Sequence, residues 1–296
     1  MPDIVIHAVT AAAAAAYAAL AWHFWNTRWR ARPAGIAAAS GGLRTWERAA
    51  ILAPLALHGM LLYGQLFAPV ELRFGFAYAL STMLWLAVLF YWLESLFYQL
   101  DGMQPPVLAL AALAAPLPAL YPGHASGVYA ASLEFRLHLV LAMLAYSLFT
   151  IAILHALLMA LVERRLHQTR QARGASGALL ADGATLLQGP LGALPPLLTL
   201  ERLLFRMIAA AFVLLTCTLA TGIAFSESLF GRPLRVDHKT LFALLSWATF
   251  ALLLAGRHWY GWRGRTALRW TLTGFAMLLL AYVGSRFVLE VVLGRG

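Results

Sequence analysis

Long apolar runs dominate this 296-residue chain and leave it few ways to fold. Hydrophobic residues make up 62% of the sequence, and charged residues make up 11%. A soluble domain of this size cannot bury so much apolar surface, whereas a helix of about 20 apolar residues can cross the hydrocarbon core of a bilayer. Because the backbone must satisfy its own hydrogen bonds in lipid, the composition predicts an all-α, polytopic bundle of membrane helices.

Eight apolar segments can be assigned as membrane helices, and they make residues 1–296 a single transmembrane domain. The fourth segment is expected to be short and kinked, because Pro105, Pro106, Pro116 and Pro118 lie in or next to it. A cleavable signal peptide is not expected, since the first segment is long enough to span and has no basic leader. The predicted segments are 4–25, 47–68, 75–98, 105–121, 135–162, 200–224, 238–256 and 267–291.

The basic residues predict the orientation of the bundle. Of the 22 Lys and Arg residues, 15 lie at the connections after the first, fifth and seventh segments, and seven lie on the other side. Basic residues concentrate on the cytoplasmic side of a membrane, so both termini are predicted to lie outside. The segment 163–199 is then the only sizeable cytoplasmic connection, and we expect a partly ordered loop there, or a short element lying against the bundle, and not a domain. This topology fits the inner membrane of a bacterium.

The remaining composition excludes several kinds of protein. A net charge of +10 suggests nucleic acid in a soluble protein, but here the arginines lie mainly at the edges of apolar runs, where membrane topology explains them. We therefore expect the lipid bilayer, and not nucleic acid, as the partner of these charges. Cys217 is the single cysteine, which excludes an internal disulfide and a CxxCH site for covalent haem attachment.

Two histidines at the predicted outer side are the main candidate site. His138 lies one turn inside the fifth segment, and His238 opens the seventh. An imidazole in a membrane segment costs free energy unless it has a partner, and two neutral imidazoles at one depth can ligate a metal ion or a haem iron. The cofactor we expect is haem b, bound non-covalently. The alternative for each histidine is a helix cap or a residue of the headgroup zone.

Basic residues surround these two histidines on the side that normally avoids positive charge. Arg136 precedes His138 by two residues, and Arg232, Arg235 and Lys239 flank His238. Haem carries two propionates, and arginine pairs well with carboxylates. The cluster therefore favours a haem that lies with its propionates towards the outer surface. The same charges could instead bind anionic lipid headgroups.

His58 and His155 form a second, deeper candidate pair. His138 and His155 are about 25 Å apart along one helix, so they cannot ligate one haem. His58 and His155 differ in depth by only about 9 Å, which two long side chains can bridge. The alternative is that each imidazole hydrogen-bonds a neighbouring helix.

Three stretches of the chain resemble the cytochrome c assembly family of haem-handling membrane proteins. The residues 199–206 and 215–222 resemble the penultimate core helix of that family, and 237–264 resembles the stretch after its tryptophan-rich periplasmic loop. The stretch 138–146 is similar to the helix whose outer histidine is a haem ligand in larger members. The resemblance covers roughly residues 134–290. It implies a small, HemX-like branch of the family with haem as its cofactor.

The chain also departs from this pattern in ways that bear on function. No tryptophan lies between Gly222 and His238, so the haem-presenting loop is missing. The segment around Gly284 holds no second outer histidine, and His238 stands where larger members have a proline. The resemblance therefore implies haem binding at His138 and no attachment of haem to apocytochromes.

Three hypotheses about function follow. The first is a haem-binding scaffold, not an enzyme, that acts in cytochrome assembly or in haem transfer or sensing, with other assembly or tetrapyrrole-pathway proteins as partners. The alternative is a subunit or regulator of a membrane metal-ion or small-solute transport system, since histidines and prolines in spans also occur in such pathways. The third is a membrane adaptor that contacts an enzyme of tetrapyrrole synthesis through 163–199.

Overall fold

The structure, a computed structural model, describes residues 3–29, 43–66, 74–100, 102–123, 132–176, 197–230 and 237–294, and these contain helices and no strands. The first helix continues through π-type turns to Trp29, and the last part of the chain alternates between α and π-type turns up to Val292. The α-helices are α1 (Asp3–Phe24), α2 (Thr45–Leu66), α3 (Phe76–Phe97), α4 (Gln104–Ala114), α5 (Leu117–Leu120), α6 (Leu133–Ser176), α7 (Leu197–Phe230), α8 (His238–Tyr260), α9 (Gly264–Leu279) and α10 (Ser285–Phe287).

Six of these helical stretches are long and apolar enough to cross a membrane, which confirms the prediction of an all-helical, polytopic membrane protein. Of the other predicted spans, α2 contains Glu47 and Arg48 near its start, and these charges lower its apolarity there. The span formed by α4 and α5 is short and is interrupted at Pro116, as its prolines predict. The six stretches are Ile4–Trp29, Phe76–Phe97, Leu133–Arg164, Leu197–Phe225, His238–Tyr260 and Gly264–Val292.

Helix α6 is longer than the sequence predicts. Its apolar part ends near residue 162, but the helix continues to Ser176, so the first part of the expected loop 163–199 is helical. The reason is that hydropathy marks where a helix leaves the hydrocarbon and not where it ends. The residues that follow, among them Glu163 and Arg164, are good helix formers that water solvates.

Helix α6 also lies at the centre of the fold, where it packs against α3, α7 and α9. One face of it contributes Ile151 to a buried cluster with Tyr17 and Tyr91 of α1 and α3. Another face contributes Phe149, which stacks on Phe250 of α8 with ring centroids 3.9 Å apart. Two of the apolar clusters of the bundle therefore meet on α6, which fixes its rotation relative to the helices on either side.

Contacts between helix ends join residues that the charge pattern places on the same side. At the predicted cytoplasmic end, the carboxylate of Glu47 lies 3.0 Å from the Arg28 guanidinium, and Glu201 pairs with Arg257. At the predicted outer end, the backbone N–H of Phe76 lies 3.3 Å from a carboxylate oxygen of Glu290. These contacts fit helices that alternate in direction, while the orientation in the membrane stays a prediction.

Candidate functional site

His138 lies half-buried near the first turn of α6 and faces α7. Its Nδ1 atom is 3.1 Å from the hydroxyl oxygen of Thr221. The same hydroxyl lies 2.9 Å from the carbonyl oxygen of Cys217 and 3.0 Å from that of Thr218. Thr221 therefore links the imidazole of α6 to the backbone of α7 at the outer end of the bundle.

This geometry assigns the tautomer of His138. A carbonyl oxygen can only accept a hydrogen bond, so the Thr221 hydroxyl donates its single hydrogen to the α7 backbone. Its lone pairs then accept from an N–H at Nδ1 of His138. In the neutral ring, Nε2 consequently carries a lone pair. Such an atom is able to ligate a metal ion.

Gly222 allows the imidazole to approach α7 this closely. A β-carbon at this position would lie 3.3 Å from Cε1 of His138, which is a tight contact. The adjacent residues Thr221 and Gly222 thus have complementary effects, since one binds the ring and the other makes room for it.

His238 stands in a different environment at the start of α8. Its side chain is exposed, and the preceding residue, Asp237, caps the helix by accepting from the backbone N–H of Thr240 at 2.9 Å. Burial acts to raise the pKa of Asp237, but the hydrogen bonds from Thr240 outweigh it, so the pKa is lowered. The charged carboxylate then stabilises the helix N-terminus.

The structure does not join His138 to His238. Among the described residues, no hydrogen bond or ring contact links the two imidazoles, so a haem with both as ligands remains a prediction. Of the predicted basic residues, Arg136 is half-buried on α6, Lys239 is half-buried on α8, and Arg235 lies outside the described residues together with Arg232.

Lys239 has a neighbour that the sequence did not indicate. It interacts electrostatically with Arg286 of α10, a residue that approaches Glu290 to 3.9 Å. Two cations from different helices thus lie near each other at the outer end. Lys239 also interacts with Asp237 and Arg286 with Glu290, so a carboxylate already lies near each cation, and a further anionic group would add to these pairings.

His58 and His155 do not contact each other, and each has a separate polar partner. The buried His58 on α2 has its Nε2 atom 2.8 Å from the hydroxyl of Ser81 on α3. A cavity of only about 10 Å³, lined in part by Thr10, lies beside this ring and is about large enough for one water molecule. A haem does not fit beside His58 in this conformation.

His155 faces an acidic residue of α3. Its Nε2 atom lies 3.7 Å from a carboxylate oxygen of Glu94, and both side chains are buried. Glu94 could be noticed in the sequence as an acidic residue within an apolar segment, but nothing there pointed to His155 as its neighbour. Nothing in the sequence pointed to Thr221 or Arg286 as residues of the site.

Known bacterial proteins are similar to parts of this chain. "Inner membrane protein YpjD" of Escherichia coli (strain K12) is 30% identical over 155 residues, which are 52% of this chain and 52% of the relative. An Azospirillum brasilense protein of 28.8 kDa is 34% identical over 188 residues, or 63% of this chain and 61% of that protein. "Cytochrome c biogenesis protein CcsA" of Prochlorococcus marinus (strain MIT 9515) is 35% identical over 89 residues, 30% of this chain and 28% of that protein.

The chain thus spans about half the length of the Escherichia coli relative that it matches. No solved structure matches it. The model of the family "Cytochrome C assembly protein", however, matches residues 49–293, a range that includes α3 to α10 and all four candidate histidines. The chain is therefore a multi-pass helical membrane protein that belongs to the cytochrome c assembly family.

Proposed function

We propose that this protein binds haem b non-covalently at the outer end of its bundle, with His138 as an axial ligand. In this proposal it is a binding scaffold and not an enzyme, and it serves cytochrome assembly or haem transfer or sensing. The inner membrane, predicted from the sequence, is also the location that the name of the Escherichia coli relative gives. Its protein partners would be other cytochrome assembly or tetrapyrrole-pathway proteins.

The observation that carries the proposal is the hydrogen bond between Nδ1 of His138 and Thr221. Metal-bound histidines usually donate their other ring N–H to a fixed acceptor, which sets the ring orientation and the tautomer. His138 shows this arrangement with Thr221 as the acceptor. Haem iron can be held by single imidazoles, so the proposal does not need a cluster of ligands, and the described residues contain no group of three or more His, Cys, Asp or Glu around one point.

The charges at the outer end support the same proposal. Haem supplies an iron that takes axial nitrogen ligands and two propionates that need cations. Lys239 and Arg286 are the cations that the structure brings near each other at this end, and Arg136 is the predicted one on the same helix as His138. His238, exposed at the start of α8, is the residue we propose for a second axial position.

An absorption spectrum of the purified protein in detergent tests the proposal. We expect a Soret band after expression or after haem addition, and we expect His138→Ala to abolish it. His167→Ala is a matched control, because His167 is an exposed histidine at the opposite end of α6, 3.7 Å from Glu163. His238→Ala would weaken binding and shift the spectrum if this residue supplies the second ligand.

Two outcomes would reject the proposal. One is the absence of a Soret band in the wild-type protein even with excess haem. The other is equal haem affinity of the wild type and of the His138→Ala and His238→Ala variants, which would place any bound haem elsewhere.

A further inference from the structure

Glu94 and His155 form a buried polar pair that the proposed haem site does not use. Their relative exposures are 7% and 0%, and the pair joins α3 to α6 in the predicted cytoplasmic half of the bundle. The residues next to them along these helices, Tyr91 on α3 and Ile151 and Leu158 on α6, belong to one buried apolar cluster. The pair therefore lies in a largely apolar part of the bundle.

The hydrogen-bond partner of His155 fixes its tautomer. Nδ1 of His155 lies 2.9 Å from the carbonyl oxygen of Ile151, one turn earlier on α6. Because a carbonyl oxygen only accepts, Nδ1 must carry the hydrogen, and Nε2 of the neutral ring carries a lone pair. The atom of His155 that faces Glu94 is thus an acceptor.

Two acceptors therefore oppose each other across 3.7 Å, Nε2 of His155 and Oε2 of Glu94. Neither this nitrogen nor either carboxylate oxygen of Glu94 has a hydrogen-bond partner among the described residues. A buried carboxylate facing a lone pair is strongly unfavourable unless a positive charge lies between them. The arrangement needs one positive charge.

The charged groups on the neighbouring helices do not supply this positive charge. Arg48 on α2 donates from Nη2 to the carbonyl oxygen of Ser95 at 3.2 Å, but none of the described cations lies within 4.0 Å of the Glu94 carboxylate. Helix α4, which also packs on α3, has no titratable side chain. At this end Glu201 of α7 pairs with Arg257 of α8 and with Arg263, Glu163 of α6 pairs with Arg265 of α9, and Arg206 of α7 donates to the hydroxyl of Tyr98.

We propose that Glu94 and His155 form a proton-binding site that holds a single proton between the carboxylate and Nε2. A proton fits better than a metal ion, because a divalent metal would need at least one more protein ligand, and the described part of the chain offers no third His, Cys, Asp or Glu there. The proton comes from water at the predicted cytoplasmic end, and the site returns it there when the pair is deprotonated. The proton belongs to the pair, so carboxylate and imidazole titrate together.

Infrared difference spectroscopy and nitrogen-15 NMR of the full-length protein in nanodiscs test this proposal. Between neutral and alkaline buffer we expect loss of one proton per chain, visible as coupled changes in a carboxyl band and in the Nε2 resonance of His155. Glu94→Gln should remove both changes. Glu163→Gln is the matched control, since it alters a carboxylate at the same end of the molecule and should leave both changes in place.

The titration is measured on the wild-type protein, so the test does not depend on whether a variant folds. The variant His155→Gln serves only to assign the Nε2 resonance of His155. A wild-type spectrum in which Glu94 is ionised and Nε2 is unprotonated throughout would overturn the proposal. So would equilibrium dialysis that finds one Zn²⁺ per chain in the wild type and none in Glu94→Gln or His155→Gln, because the site would then hold a metal ion.

Discussion

His138 and His155 lie on the same helix and have the same tautomer, yet their surroundings suit them to different ligands. In both rings, Nδ1 is hydrogen-bonded to an acceptor, the hydroxyl of Thr221 in one case and the carbonyl of Ile151 in the other. Both therefore present a lone pair at Nε2. What differs is the group that faces Nε2 and the depth of the ring.

At the outer end, His138 is half-buried and lies on the side where cations of α8 and α10 approach each other, which suits an anionic ligand with a metal centre. In the inner half, His155 is fully buried and faces a carboxylate, which suits a small cation. Because the residue type and the helix are the same, any difference in ligand must come from the surroundings of the two rings. For His155 the group that faces Nε2 is Glu94 of α3.

Removing one partner of the inner pair should have the largest effect on stability. His155→Leu leaves Glu94 in an apolar core without a partner, so we expect the free energy of unfolding to fall by about 3–5 kcal/mol. The double variant Glu94→Leu/His155→Leu should regain most of this loss, because it removes the polar atoms from both helices. Unfolding of the detergent-solubilised protein, followed by circular dichroism, measures both values.

His138→Leu is the matched control for this comparison. It removes one hydrogen bond of a half-buried ring, so we expect a loss of only about 1 kcal/mol. If His138→Leu destabilised the protein as much as His155→Leu, or if the double variant were no better than the single one, the contrast between the two histidines would be wrong.

Thr221→Val should have the largest effect among the residues that position His138 without contacting the ligand. Valine keeps the shape of threonine but cannot accept from Nδ1, so the ring loses its fixed tautomer and orientation. We expect haem affinity to fall by about 10–100-fold, the usual effect of losing such a partner. Titration of the protein with haem, followed at the Soret band, measures this change.

Thr221→Ser distinguishes positioning from packing, because serine keeps the hydroxyl and lacks the methyl group. We expect Thr221→Ser to bind haem nearly as tightly as the wild type. Weak binding by both variants would mean that Thr221 acts through packing of α6 on α7, while unchanged binding by both would show that the tautomer of His138 is not set by this residue.

Hydropathy and charge predict the helical segments well because both depend on residue type alone. They do not predict where α6 ends, since Glu163 and the residues after it leave the membrane but keep the helix. They also predict the depths of His58 and His155 along the helices, and these depths stay a prediction. The predicted depth of a residue depends only on the rise per residue and on its position in the segment, which can be read from the sequence.

The direction in which a side chain points around its helix is a different matter, because it depends on how the helices rotate against each other. His58 and His155 differ little in depth, but packing turns one towards Ser81 and the other towards Glu94. Thr221 could not be identified for the same reason, since it lies 83 residues from His138 in the chain. Single-sequence patterns contain no information on which faces of distant helices meet.

Gly222→Ala should have a smaller effect than Thr221→Val. The added β-carbon would lie 3.3 Å from Cε1 of His138, so the ring must move by a few tenths of an ångström. We expect the free energy of haem binding to become less favourable by about 1 kcal/mol, which is the low end of the range for overpacking. Gly64→Ala is the control, because a β-carbon there meets nothing within 4 Å. If both variants bind haem equally, the close approach of α6 and α7 is not needed for the site.

Lys239→Gln should have the smallest effect, and it concerns charge only. Lys239 is half-buried beside Arg286, and a partly solvated pairing with a propionate contributes about 0.2–1 kcal/mol. We therefore expect a decrease in haem affinity of less than about tenfold, together with a weaker dependence of binding on salt. Arg206→Gln is the control, because Arg206 lies at the opposite end and contacts the hydroxyl of Tyr98. Haem titrations at low and high ionic strength compare the two variants. If the haem affinity of both variants depends equally on salt, Lys239 contributes no more to haem binding than a cation at the far end of the bundle.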